Sequence, residues 1–470
     1  MRILYGLAAV CAAALLLSAC GGGDDTDKAA SSEDAFDRNP YPSTYAPYPN
    51  APVLITNATI LDGEGNLIED GSLLLQDGKI VALGADIEAP VGAETIDATG
   101  RWVTPGIIDN HSHLGVYPSP GVTAHGDGNE ISAPVTAEVW SEHGVWPQDP
   151  GFTRAIAGGI TSLQVLPGSA NLFGGRGVIL KNVPSRTVQG MKFPDAPYTL
   201  KMACGENPKR VYGYGGGRFP GGAPYSRMGN VAGYRQAWIK AAEYKRKWEK
   251  YEDEGGEPPA RDLELDTLAG VLNGDILVHM HCYRADEMAQ IMDMSKEFGY
   301  KVTAFHHAVE SYKIADKLAE YGACSSMWAD WWGFKMEAYD GVRENIPMVH
   351  KAGACAIVHS DSDVGIQRLN QEAAKAWSDG LRAGIDIPKE VAWTWLSLNP
   401  AKSLGIDDRT GSLKPGKMAD VVVWSDDPFS VYAKADQVFI DGALMFDRDH
   451  PETNPVMDFE IGQPGEGDRK

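Results

Sequence analysis

The chain has 470 residues, too many for one small domain and enough for a large barrel with a second module. Apolar residues make up 43% and charged residues 23%, the balance of an ordinary soluble globular protein. The formal net charge of −22 speaks against nucleic acid as a partner, because phosphate binding needs a basic surface, and is read as a solubility feature.

In chain order, residues 1–20 read as an export signal: Arg2, an apolar run from Ile3 to Leu17, then the small pair Ser18-Ala19. The run is short for a membrane-spanning helix, which needs about 20 residues. The exit Leu17-Ser18-Ala19-Cys20 resembles the lipobox of bacterial lipoproteins. That resemblance implies cleavage before Cys20, a lipid on its sulfur, and anchoring at the outer membrane, facing the periplasm or the cell surface. Residues 21–50, rich in Gly, Asp and Ser and then Pro and Tyr, are expected to be a flexible tether. Of the six cysteines, Cys204, Cys282, Cys324 and Cys355 fall in the mature chain. No close spacing suggests a disulfide framework, so they are expected to be small buried apolar residues.

Short β-type runs follow at Val53 to Thr56, Gly71 to Leu75 and Lys79 to Leu83, separated by the turn pairs Asp62-Gly63 and Asp77-Gly78. Similar runs, Val421 to Trp424 and Val438 to Ile440, close the chain. Residues 51–104 and 405–450 are therefore expected to form one small β-sandwich module built from both ends, with 451–470 as a tail. Between them, strand-like and helical stretches alternate: Ile276 to Val278 before Ala285 to Phe298, Lys301 to Phe305 before Tyr312 to Tyr321, and Ala354 to Val358 before Gln371 to Ala383. This α/β pattern predicts a TIM-like (β/α)8 barrel over 105–404. An open doubly wound sheet is the alternative, without a Gly-x-Gly-x-x-Gly to support it. Residues 208–258 form an insertion: a Gly-rich loop, Gly213 to Gly222, then a helix from Val231 to Tyr251 with Tyr234, Trp238, Ala241, Ala242 and Trp248 on one face. It is a candidate lid, although the helix alone reads as ordinary surface packing.

The chain holds only eleven histidines, and several stand at strand ends, where a barrel carries its active site. His111 and His113 end the first barrel strand and point the same way. His279 and His281 end another, His306 and His307 a third, and Asp361 follows a late strand. Such a set of N and O donors without Cys suits a divalent metal, Zn2+ first, with iron, manganese or cobalt left open, as one ion or two. A carboxylate able to bridge two ions is Glu206. Lys201 is its rival, since a carbamylated lysine serves that purpose in some barrels, but it lies several residues before the expected strand end.

The run Pro105-Gly106-Ile107-Ile108-Asp109-Asn110-His111-Ser112-His113 resembles the opening of the amidohydrolase superfamily. Asn399-Pro400-Ala401-Lys402 and Gly411 to Asp420 are similar to its closing signature. The similarity runs from about Val53 to Asp447 and is nearest the imidazolonepropionase-like and dipeptidase-like branch. It implies metal ligands at His111, His113, Glu206, His279, His307 and Asp361. Asp361 would also move the catalytic proton, and His281, which falls among the substrate contacts, or His307 would help the metal polarise the carbonyl and stabilise the oxyanion. The expected reaction is metal-assisted hydrolysis of a carbon–nitrogen bond in a small-molecule substrate. The alternatives are deamination on the same centre, or a surface-anchored binding protein with a vestigial site. Trp328, Trp331 and Trp332 match no family feature. Membrane contact is expected through the lipid alone, and oligomeric state is left open.

Overall fold

A computed structural model describes residues 39–119, 121–214 and 223–454. The expected signal, Cys20, residues 215–222 of the candidate lid and the expected tail beyond Asn454 lie outside the described residues. The chain divides after Pro40, and the body begins at Tyr41. Among the described residues no helix is long and apolar enough to cross a membrane.

Strands β1 (Val53–Leu61), β2 (Leu67–Gln76), β3 (Lys79–Gly84), β4 (Glu94–Asp97) and β5 (Trp102–Pro105) open the body. The β2–β3 turn has Asp77 at φ 52° and Gly78 at φ 75°, the doubly left-handed pair that suits the twist of a tight hairpin. The barrel strands follow: β6 (Ile107–Ser112), β7 (Ile160–Val165), β8 (Phe173–Lys181), β9 (Tyr198–Ala203), β10 (Ile276–His281), β11 (Val302–His306), β12 (Cys324–Met327) and β13 (Cys355–Val358). The chain ends in β14 (Val421–Trp424), β15 (Ala435–Ile440) and β16 (Ala443–Asp447).

The strands from the two chain ends do join. They form one eight-stranded sheet, ordered β16-β15-β14-β5-β1-β2-β3 with β4 on β1. Val53, Ile55, Ile60, Leu73, Val103, Val421 and Phe439 share one apolar core. Gly106 passes the chain from this sheet into the barrel. A Cβ there would meet Thr161 Oγ1 at 2.1 Å, so the close approach requires glycine. Lys181, fully buried, ties barrel to sheet through Asp420 at 2.8 Å and Asp441 at 3.1 Å. An ion pair this buried is costly to break on one side, because it leaves a charge unpaired.

The barrel sheet runs β13-β12-β11-β10-β9-β8-β7-β6, and β6, β7 and β8 are buried along their whole length, as strands covered on both faces should be. It departs from a uniform (β/α)8 barrel at β8, which is antiparallel to both neighbours. The cause is connection length: residues 166–172 and 182–197 carry no crossover helix, and parallel neighbours need one. The two edges come together where the Asp361 amide donates to the His111 carbonyl at 3.1 Å.

Two expectations require correction. The tether ends earlier than residue 50: the Thr44 amide donates to Gln189 O at 3.0 Å, and Tyr45 and Tyr48 pack on the main core. Cys204, Cys282, Cys324 and Cys355 are also not free. Cys204 bonds Cys282, and Cys324 bonds Cys355. Cys324 and Cys355 face each other on paired strands, while Cys204 and Cys282 directly follow the paired residues Ala203 and His281. Parallel strands bring together residues far apart in sequence, which spacing cannot reveal.

The insertion helix, Arg227–Glu254, starts at Ser226, whose hydroxyl accepts from the Gly229 amide. It lays fully buried Trp238 against Phe173 and Tyr300, with ring centroids 5.2 and 4.4 Å away. This helix is packing, as its apolar stripe suggests.

Candidate metal centre

Strand ends place the polar groups. β6 delivers His111, and His113 follows two residues later; β11 is followed directly by His307, and β13 by His359 and Asp361. His307 at φ 57° and Asp361 at φ 49° are both left-handed non-glycine residues. Each such conformation costs on the order of 1 kcal/mol and persists where surrounding contacts hold the side chain in one place.

These groups converge. Asp361 Oδ1 lies 3.1 Å from His113 Nε2 and 3.5 Å from His111 Nε2, while Oδ2 lies 3.6 Å from His307 Nε2. The two Nε2 atoms of His111 and His113 are 3.4 Å apart. His111, His307 and Asp361 each offer one ligand atom, all within 4.8 Å of one another. His281 flanks the group, its ring 4.9 Å from that of His307.

Burial sets the protonation states. Desolvation pushes His111, His281, His306 and His307 well below the ordinary imidazole value, and takes His279 and His359 down to about 3. These rings are neutral at pH 7. Desolvation also brings the Lys201 ammonium down to about 7 and raises the Asp109 carboxyl to about 7. Asp109 is held from the far side, by the Ser360 hydroxyl and the amides of His111 and Ser360.

The donor set fits a divalent cation. His113 Nδ1 is 2.8 Å from the Leu166 carbonyl, which accepts only, so Nδ1 carries a proton and Nε2 is the nitrogen that can offer a lone pair. His111 Nε2 and Asp361 Oδ1 are acceptors beside it. Three lone-pair atoms thus face one point, with Lys201 Nζ, 3.3 Å from His111 Nε2, as a nearby donor. Without a cation such an arrangement is repulsive. The buried His281 Nδ1 atom has no hydrogen-bond partner, and an unmatched buried nitrogen of this kind suits metal ligation.

Two expected residues are not brought into this group. Glu206 begins the short helix Glu206–Pro208 after β9, its amide donates to Glu337 Oε2 at 2.8 Å, and its carboxylate lies 3.9 Å from Lys335 Nζ. Lys201, two residues before the end of β9, reaches the histidines instead. His279 is one layer too deep. Its Nε2 lies 3.1 Å from Ser403 O, and its Nδ1 lies 2.8 Å from His306 Nε2 and 3.1 Å from Gln164 Nε2. Both ring nitrogens are taken, and His281, two residues on, stands at the site.

Sequence reasoning assigns no role to His359, whose ring lies 4.8 Å from that of His307. It also gives none to Asn207, whose Nδ2 is 3.5 Å from His281 Nε2. The position of His359 two residues before Asp361 is the signal that could have found it. Trp328 stacks on His307 at 4.4 Å and 25°. With Tyr283, Trp331 and Phe334 it forms an aromatic wall beside the centre.

Comparison with known proteins gives a consistent result. The profile of the amidohydrolase family matches residues 102–445. The amidohydrolase tasK of Hapsidospora irregularis is 35% identical over 382 residues, which is 77% of this chain and 38% of that protein. The chain therefore spans well under half the length of that relative. An imidazolonepropionase of Mesorhizobium japonicum is 23% identical over 387 residues, 73% of this chain and 84% of that protein. The crystal structure of an amidohydrolase from Thermotoga maritima MSB8 matches with a TM-score of 0.77 and 36% identity, over 84% of this chain and all of that one.

Proposed function

The chain belongs to the amidohydrolase family, hydrolases of carbon–nitrogen bonds, and from that premise we propose a metal-dependent hydrolase of an amide, peptide-like or cyclic amide bond. The observation that carries this reading is the meeting of His111 Nε2, His113 Nε2 and Asp361 Oδ1 within 3.1–3.5 Å of one another.

In this reading His111, His113, Lys201, His281, His307 and Asp361 hold the metal, zinc for preference. Lys201 takes the place expected of Glu206, and His281 that expected of His279. With a pKa brought to about 7, about half of the Lys201 amine is free of its proton at neutral pH. It could then add CO2, forming an N–C bond and releasing one proton, and the resulting carboxylate would serve as a metal ligand. A bound divalent metal supplies Lewis acidity and lowers the pKa of water from about 16 to about 7. Asp361 accepts the proton of the attacking water as its oxygen bonds to the carbonyl carbon. It passes that proton to the nitrogen as the C–N bond breaks. Asn207, beside His281, is placed to donate to the substrate carbonyl, and the wall of Trp328 and Phe334 receives an apolar substituent.

We also read the chain as an exported lipoprotein cleaved before Cys20. The motif at 17–20 supports this, and two disulfides fit an oxidising compartment. The sandwich form of the terminal sheet belongs to the same reading, its support being the core shared by strands of both chain ends.

The experiment is a hydrolysis panel with the zinc-loaded protein: dipeptides, N-acylated amino acids, cyclic amides, and amino-substituted rings. Release of amine or ring opening supports the proposal. Ammonia from the ring substrates alone would move the reading to a deaminase. No turnover by metal-loaded protein would favour a binding protein.

A further inference from the structure

Three buried imidazoles lie in line behind the centre. His111 Nδ1 is 2.8 Å from His306 Nδ1, His306 Nε2 is 2.8 Å from His279 Nδ1, and His279 Nε2 is 3.1 Å from the Ser403 carbonyl. A neutral imidazole has one N–H and one lone pair, so each contact in such a row dictates the next. Ser403 ends the helix Leu398–Ser403, where carbonyls extend past the helical ladder and need an outside donor. That carbonyl only accepts, so His279 carries its proton on Nε2 and presents Nδ1 as acceptor. His306 then donates from Nε2 and accepts at Nδ1, and His111 must donate from Nδ1.

One side contact demands the same polarity. Gln164 Nε2 lies 2.7 Å from the Asn110 carbonyl, which fixes the amide nitrogen there, and that nitrogen is also 3.1 Å from His279 Nδ1. His279 Nδ1 is therefore an acceptor on independent grounds. At the other end, Lys201 Nζ lies 3.3 Å from His111 Nε2, where its N–H can meet a lone pair on that nitrogen.

We propose that His306 and His279 are positioning residues that relay the polarity of the Ser403 carbonyl to His111, locking its lone pair on Nε2 and aiming it at the metal. This inference rests on the metal-dependent reading above. It also accounts for the placement of the stretch around Asn399 to Ser403, because the Asn110 amide donates to Ser403 Oγ at 2.9 Å and so holds the helix end against β6.

The test compares His306→Leu, which breaks the relay, with His306→Gln, whose amide can accept from His111 and donate to His279. Zn2+ affinity of the full chain is measured by chelator competition, and the tautomer of His111 in the metal-free wild type by NMR of 15N-labelled histidine. The expected result is an Nδ1–H tautomer for His111, a 10–100-fold loss of Zn2+ affinity in His306→Leu, and recovery of most of it in His306→Gln. Wild-type affinity in His306→Leu, no recovery in His306→Gln, or an Nε2–H tautomer in the wild type would each overturn the relay. The NMR result stands even if His306→Leu does not fold. A wild type with the Nδ1–H tautomer but no Zn2+ binding would instead support the relay and sink the metal reading it serves.

Discussion

Replacing Lys201 with Met should make the metal-free protein more stable and its metal binding worse. Lys201 is 1% exposed, and burial brings its pKa from 10.5 to about 7. A base whose folded-state pKa is depressed binds its proton more tightly when unfolded. Its destabilisation is therefore complete below about pH 7 and fades as pH rises towards 10.5. Those 3.5 pH units correspond to about 5 kcal/mol at about 1.4 kcal/mol each. Losing the contact with His111 Nε2 returns about 1 kcal/mol, which leaves a gain of about 4 kcal/mol at pH 6. Urea unfolding of metal-free wild type and Lys201→Met at pH 6 and pH 9.5 measures this, with zinc titration alongside. The gain should shrink at the higher pH, and zinc affinity should fall at both. A variant destabilised at pH 6, or one that binds zinc as the wild type does, would refute the reasoning.

Asp361→Asn should lower turnover by about 10²–10⁴-fold, whereas Glu206→Gln should leave turnover and zinc content near wild type; steady-state kinetics separate the two. Cys204→Ser opens a crosslink spanning 78 residues and should cost about 4 kcal/mol of stability on the chain-entropy estimate, read as a lower thermal midpoint under non-reducing conditions. The buried rings of His111, His279, His281, His306, His307 and His359 have folded pKa values below the unfolded 6.5. Their stabilisation is present above pH 6.5 and is lost as pH falls towards the folded values. Asp109, raised to about 7, acts in the opposite sense between pH 3.8 and 7 but is one group against six. The metal-free protein should therefore lose stability steeply between pH 6.5 and 5, measured by circular dichroism, and a flat profile there would contradict the burial of these rings.

The sequence made the barrel and the chain-end sheet legible because both depend on local period and on turn pairs such as Asp77-Gly78. It made His111, His113, His307 and Asp361 legible as neighbours because strand ends share one rim. Depth is harder to read. His279 and His281 lie on the same strand face, and a two-residue period cannot say which layer meets the rim. Lys201 looks too far back when only its backbone is measured against the strand end, although β9 ends two residues later and a four-carbon side chain spans that gap. The disulfides depend on which strands become neighbours, a property of the closed sheet and not of any single segment.

The central claim is that the convergence of His111, His113, His307 and Asp361 is a metal site. The direct measurement is elemental analysis of the purified, dialysed protein beside His113→Ala. The account predicts about one to two equivalents of a divalent metal in the folded wild type and a large loss in the variant. A correctly folded wild type holding less than about half an equivalent, and taking up none from added zinc, would contradict it.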